Sequence, residues 1–255
     1  MSFNKPITDW SDRRVWIVGA SSGIGAAIAK QLLAQGTRVA LSARREGLLE
    51  EVAGSYTNAL AVPLDVLEEG AWVKAYQEIK TLFGGLDLLL FCAADYRCER
   101  SWEVNAAVAS RTFEINVGSM YRALATVLPT MLKDGNGGIG LIASVAGYMG
   151  LPNASVYGPT KAALINLAEI LYGDLHPKGL DVYLINPGFV DTPLTEKNQF
   201  NMPALQTPEQ AATSILGGIS KGNFEIHFPH RFTMILKFVQ LLPYRLRFLL
   251  LKRLV

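Results

Sequence analysis

The chain has 255 residues, half of them apolar and 18% charged, a composition that suits a globular protein with a substantial core and excludes disorder. Its net charge of +2 gives no reason to expect nucleic acid as a partner. No apolar run reaches the length of about eighteen residues that a spanning helix needs, and the opening "MSFNKPITDWSDRR" lacks an apolar stretch, so no secretory signal is expected and the cytoplasm is the default compartment.

Apolar runs alternate with amphipathic stretches along the chain. The spacing predicts a strand at 15–18, a helix from Gly23, a strand at 38–41, a helix from Glu46, a strand at 60–64, a helix from Glu68 and a strand within 86–94. The second half predicts a helix over 106–132, a strand at 138–144, a helix from Asn153 to His176, a strand at 180–186, a helix at 208–220 and a strand at 224–228. Such alternation is the pattern of a parallel sheet covered on both faces, here of seven strands in one doubly wound α/β domain. The polar, proline-punctuated loop 191–210 would follow a strand's carboxyl end, where ligands sit in this architecture.

Gly19, Gly23 and Gly25 fall between the first strand and the first helix. A helix start there offers free N–H groups and a positive dipole end to an anion such as a pyrophosphate, and glycine lets the anion approach the backbone closely. "GNGGIG" at 135–140 has the same letters but precedes a strand, so it reads as a loop. After the second strand stand Arg44 and Arg45, with no acid to hold a ribose 2′-hydroxyl. An arginine fork suits a 2′-phosphate, which favours NADP over NAD; the alternative is a solvated basic pair. Asp65 fits an adenine contact or a cap on the next helix.

Tyr157 and Lys161 lie four residues apart on a predicted helix, about 6 Å apart at Cβ. An ammonium beside a phenol favours the phenolate and lowers its pKa toward the range useful for acid–base catalysis. Tyr76 and Lys80 share this spacing, but thirteen residues before Tyr157 stands Ser144, at a strand end, whereas the same offset from Tyr76 gives Pro63. Tyr76 is therefore expected on the helix surface. Pro159 costs nothing only in a first helical turn, which places Tyr157 near the helix start.

These residues resemble the short-chain dehydrogenase/reductase family over roughly 14–225: "GASSGIG" at 19–25, "DV" at 65–66, Asn116 in "FEINVGSM", Ser144, "YGPTK" at 157–161 and "NPGFVDTP" at 186–193. The resemblance implies a Rossmann fold and a nicotinamide cofactor, NADP(H) preferred and NAD(H) allowed. It implies Tyr157 as acid or base, Ser144 polarising the reacting oxygen, Lys161 lowering the phenol pKa and holding the nicotinamide ribose, and Asn116 anchoring a proton-supplying water chain. Set singly, Ser144 could be a turn hydroxyl, Asn116 a backbone partner in a helix and Lys161 a solvated residue. The cofactor set is Gly19, Ser21, Ser22, Gly23, Ile24, Gly25, Arg44, Arg45, Asp65, Val66, Ala93, Tyr157, Lys161, Pro187, Gly188, Val190 and Thr192. A dimer or tetramer is implied as well.

Two departures stand out. Val18 replaces the family's Thr, and "FCAA" at 91–94 replaces its Asn-Asn-Ala-Gly, so side-chain hydrogen bonds that steady the sheet centre are lost. Cys92 and Cys98 are read as reduced thiols without chemistry.

Residues 226–255 hold six Lys or Arg and no acid, leaving residues 1–225 at −4. In the segment 230–255, an extension of the domain 1–229, two short amphipathic helices hinged at Pro243 would gather Phe232, Ile235, Leu236, Val239 and Leu242 on one side. That side could meet an anionic membrane, cover the substrate pocket or meet another subunit. The expected activity is interconversion of an apolar ketone or aldehyde with its alcohol. The contrasting expectation is a non-catalytic NADP-binding sensor or scaffold, docked through the tail.

Overall fold

Seven short apolar runs pair as one parallel sheet in the order β3-β2-β1-β4-β5-β6-β7 in the computed structural model, which describes residues 2–196, 198 and 200–251. In chain order the elements are β1 (Arg14–Val18), α1 (Gly23–Leu33), β2 (Arg38–Ser42), α2 (Glu46–Ala53), β3 (Ala59–Ala61), α3 (Ala71–Phe83) and β4 (Leu88–Phe91). There follow α4 (Ala106–Phe113), a π-helical turn (Glu114–Gly118), α5 (Ser119–Asp134), β5 (Gly138–Ile142), α6 (Tyr157–Leu175), β6 (Asp181–Pro187), α7 (Pro208–Ser220), β7 (Glu225–Phe228), α8 (His230–Leu241) and α9 (Tyr244–Leu251).

The doubly wound α/β expectation holds, and strand alternation explains it. Val15 and Ile17 point to one face with Ile28 and Leu32 of α1 and Ile215 and Ile219 of α7. Trp16 and Val18 point to the other, with Trp72 and Ile79 of α3, Val127 of α5 and Leu164 of α6. Both faces are thus buried, as a parallel sheet requires.

Several boundaries differ from expectation for physical reasons. β3 ladders regularly with β2 over 59–61, and Val62 and Leu64 still donate to Leu41 and Ala43, which leaves Pro63, with no N–H to give, facing the open edge of the sheet. α3 begins at Ala71 after Gly70, whose φ of +76° cannot continue a helix from Glu68. α6 begins at Tyr157, since Asn153 takes a left-handed φ of +62°. The helix expected over 106–132 is interrupted by the π turn, which has Asn116 at its centre.

Tyr76 is not a surface residue. It is buried at 5% exposure and stacks on Trp16, ring centroids 6.1 Å apart. With Trp72, Ala75 and Ile79 it completes the inner stripe of α3, so its likeness to the Tyr157 pair is one of spacing alone.

"FCAA" leaves no hole at the sheet centre. Val18 and Phe91 are register partners, both buried, and Phe91 stacks on Trp72 at 6.5 Å, so apolar packing occupies that ground.

The two ends of the chain attach at opposite ends of the sheet. Asn4 is buried and clamps the amino end of β6 and the turn before β7: its side chain exchanges hydrogen bonds with Val182 and donates to Asn223 O, while its N–H donates to Gly222 O. At the carboxyl end of β7, α8 folds back on the body through Leu236, with Phe232 and Val239, against Val145, Tyr148 and Met149. Of the residues expected on one side, Ile235 is turned away, 61% exposed. A carboxylate fixes this docking: Glu225 accepts from Tyr148 Oη at 2.8 Å and Asn186 Nδ2 at 2.9 Å, and pairs with Lys237 of α8.

Candidate active site

A cavity of about 500 Å³ opens at the carboxyl ends of the central strands, where β1 turns to β2 on one side and β4 on the other. This is the topological switch point at which doubly wound sheets take ligands. Gly19, Ser21, Ser22, Gly23, Ile24 and Gly25 form its floor, Arg44, Arg45, Asp65 and Val66 one end, and Ala93, Ser144, Tyr157 and Lys161 the other. Pro187, Gly188, Val190 and Thr192 close it from the side, so the whole set of expected cofactor positions is brought together.

The glycine turn is built for close approach. A Cβ on Gly25 would stand 2.2 Å from the carbonyl oxygen of Gly19, and one on Gly19 would stand 2.7 Å from the Ala93 nitrogen. No side chain caps the start of α1 and no acid lies in its first turn, so its N–H groups and dipole face the cavity. A dinucleotide's pyrophosphate fits this cradle. At the far end Arg44 and Arg45 are exposed, and neither pairs with a carboxylate among the described residues. Asp65 caps the turn rather than α3: its Oδ1 accepts from Leu67 N at 3.0 Å.

Tyr157 is the first residue of α6, and Pro159 falls in the first turn where its missing N–H is no loss. A short turn at Val145–Gly147 carries Ser144 toward it. Gly147 permits the approach, since a Cβ there would stand 2.7 Å from the Lys161 carbonyl carbon. Burial pushes the phenol of Tyr157 up, and Ser144, facing it, pulls the other way.

Lys161 is fully enclosed, with Nζ 5.3 Å from the centroid of the Tyr157 ring and donating to the Ile142 carbonyl at 2.8 Å. Burial brings its pKa down to about 8. The ammonium therefore faces the ring, and its hydrogen bond goes to the backbone of β5.

Asn116 stands apart from the cavity lining. Its Oδ1 accepts from Asp95 N at 2.7 Å, and its amide hydrogens go to Asp95 O at 2.9 Å and Thr160 Oγ1 at 3.0 Å. The Thr160 hydroxyl in turn donates to the carbonyl of Tyr157 at 2.7 Å. Asn116 thus braces the first turn of α6 from behind.

Other residues at the site carried no sequence signal. Tyr96, in the loop after β4, meets Tyr157 edge to face at 4.8 Å and donates to Asn198 Oδ1 at 2.5 Å. Arg111 of α4 and Thr195 also line the cavity. Cys92 lies beside Lys161, and burial pushes its thiol up to about 12, which keeps it protonated. Among the described residues no group of three His, Cys, Asp or Glu is placed to hold a metal.

An anion-ready glycine turn at the switch point, with a half-buried Tyr and an enclosed Lys facing it, defines a dinucleotide-dependent oxidoreductase. The sequence model of the short chain dehydrogenase family matches residues 13–202, and the chain belongs to that family. It is 30% identical over 241 residues to an uncharacterized oxidoreductase of Myxococcus xanthus, spanning 93% of this chain and 95% of that one. A short-chain dehydrogenase of Streptomyces avermitilis superposes with a TM-score of 0.79 at 27% identity, covering 89% of this chain and 92% of the other. A short chain dehydrogenase/reductase of Burkholderia phymatum, solved in complex with NAD, shares the fold with a TM-score of 0.83 at 22% identity, covering 91% and 94%. The protein is an NAD(P)-dependent short-chain dehydrogenase/reductase.

Proposed function

We propose that the protein is an NADP(H)-preferring oxidoreductase that interconverts an apolar ketone or aldehyde with the corresponding alcohol. The observation that carries this reading is the half-buried Tyr157, with Lys161 at 5.3 Å on one side and Ser144 facing it, in the cavity that holds the glycine turn. A bound nicotinamide supplies the electron pair and hydrogen that reduce the carbonyl carbon, or accepts them in the reverse direction.

The protein's own part is placement and proton handling. Ser144 Oγ donates to the reacting oxygen, and the Tyr157 hydroxyl delivers a proton to it as the carbonyl is reduced, or takes one from the alcohol. Lys161 stabilises the phenolate that results and would hold the nicotinamide ribose. The links Asn116–Thr160–Tyr157 position the phenol, so Asn116 is a positioning residue. Gly19 to Gly25 would hold the pyrophosphate, and Arg44 and Arg45 a 2′-phosphate.

An apolar substrate is favoured by the aromatic rings packed behind two lining residues: Phe232 of α8, which stacks with Phe189 at 5.9 Å, lies against Gly188, and Tyr96 lies edge to face against Tyr157.

The test is a screen of aliphatic and aromatic carbonyl compounds with NADPH, run beside Tyr157→Phe. Turnover of an apolar carbonyl that Tyr157→Phe abolishes, with NADPH binding retained, supports the reading. NADPH binding without turnover in either form would make the protein a sensor or scaffold instead.

A further inference from the structure

The outer face of α8 and α9 exposes a run of large apolar side chains. Met234, Ile235, Phe238 and Leu241 are 54, 61, 65 and 83% exposed, and Tyr244 and Phe248 continue the surface at 68 and 56%. On α8 the first four share one side, opposite the Thr233 and Leu236 stripe that docks on the body. A contiguous apolar area of this kind marks a contact surface.

Charge decides what the contact is. Arg231 and Arg245 flank the apolar face, exposed and without a carboxylate partner among the described residues, while Lys237 is turned inward to Glu225. No acid occurs after Glu225 in the sequence. A second copy meeting this face across a two-fold axis would set these arginines against their own equivalents with nothing to offset them. An anionic lipid surface offers both halves of the match: acyl chains for the apolar side chains and headgroup phosphates for the guanidiniums. No helix among the described residues is long and apolar enough to cross a membrane, so the contact is with the surface.

We propose that α8 and α9 lie in the interfacial plane of an anionic membrane, apolar face down. The inner face of α8 carries Phe232, which packs against Gly188 at the cavity edge. Membrane docking therefore sets the cavity about one helix diameter, ~10 Å, from the lipid. The proposal is independent of the reaction assigned to the site.

Co-sedimentation of the purified full chain with vesicles of phosphatidylcholine alone, and with phosphatidylglycerol added, tests it. Binding should rise at least about tenfold with the anionic lipid at low ionic strength and weaken as salt screens the arginines. Ile235→Glu with Phe238→Glu should abolish it, and because both positions are exposed the circular dichroism and thermal midpoint should stay those of the unaltered protein. Should that pair fail to fold, Arg231→Gln with Arg245→Gln should lose the anionic-lipid gain alone. Absence of binding to anionic vesicles overturns the proposal, as does equal binding to neutral ones. A concentration-dependent dimer that the glutamates dissociate, without lipid binding, would assign the face to a second copy and overturn it too.

Discussion

Lys161 Nζ lies 2.8 Å from the carbonyl oxygen of Ile142, the last residue of β5, and so holds its charge at the end of a buried strand. Burial opposes that charge and brings the pKa down to about 8, so the ammonium is lost as pH rises through that value. For carbonyl reduction, kcat/KM for NADPH should therefore fall above about pH 8. Lys161→Arg keeps a cation at all accessible pH. Its remaining activity should show no such limb; a pH–rate profile of both proteins checks this.

Arg44→Ala removes a guanidinium from the end of the cavity where a 2′-phosphate would lie. Charge-assisted hydrogen bonds contribute about 1.5–3 kcal/mol, which corresponds to roughly ten- to a hundredfold in affinity. The dissociation constant for NADPH should rise by that factor while that for NADH changes little. Fluorescence titration with each cofactor separates the two, and equal losses would remove the NADP preference.

The same chemical change at two glycines should have opposite consequences. Gly25→Ala puts a methyl 2.2 Å from the Gly19 carbonyl oxygen, so the turn must open, and NADPH affinity should fall at least about tenfold. Gly47→Ala meets nothing within 4 Å on α2 and should raise stability by up to about 1 kcal/mol. Cofactor titration and urea unfolding measure the pair.

Glu225, the first residue of β7, joins α8 to the carboxyl end of β6, through Lys237 and Asn186. Burial raises its pKa, but the hydrogen bonds from Lys237, Asn186 and Tyr148 prevail and hold it below the ordinary value of 4.5. A carboxyl whose folded pKa is depressed contributes stability that is present above its unfolded pKa and lost as pH falls through the folded one. Glu225→Gln should cost about 1–3 kcal/mol at neutral pH, and the difference should shrink as pH falls below 4.5 and through the depressed folded pKa. Urea unfolding across that range is the measurement.

Much of the site was legible because its chemistry is local in sequence. The glycine turn, the Tyr157–Lys161 spacing and the Pro187–Gly188 turn each sit within a few residues of a strand end, so position in the alternation located them. Tyr96 and Arg111 were not legible, because Tyr96 reaches Tyr157 from an irregular loop and Arg111 reaches the cavity from a helix flank, where no periodicity marks which side chain turns inward. Tyr76 shows the opposite failure. Its match to Trp72, Ala75 and Ile79 at helical spacing signals burial, whereas the Pro63 that denies it a partner serine bears on catalysis and says nothing of exposure. Asn116 was found by resemblance, but only the coordinates reveal that its amide is spent on Asp95 and Thr160. The local pattern could not show that the helix around it widens into a π turn.

The Asn4 clamp has a practical corollary. Because it fastens the start of the chain at the amino ends of β6 and β7, a surface linked through residue 2 would sit at the pole remote from the catalytic cleft. Immobilising the enzyme by that end should leave nucleotide entry and lipid contact free, whereas tethering by the last helix would block one of them.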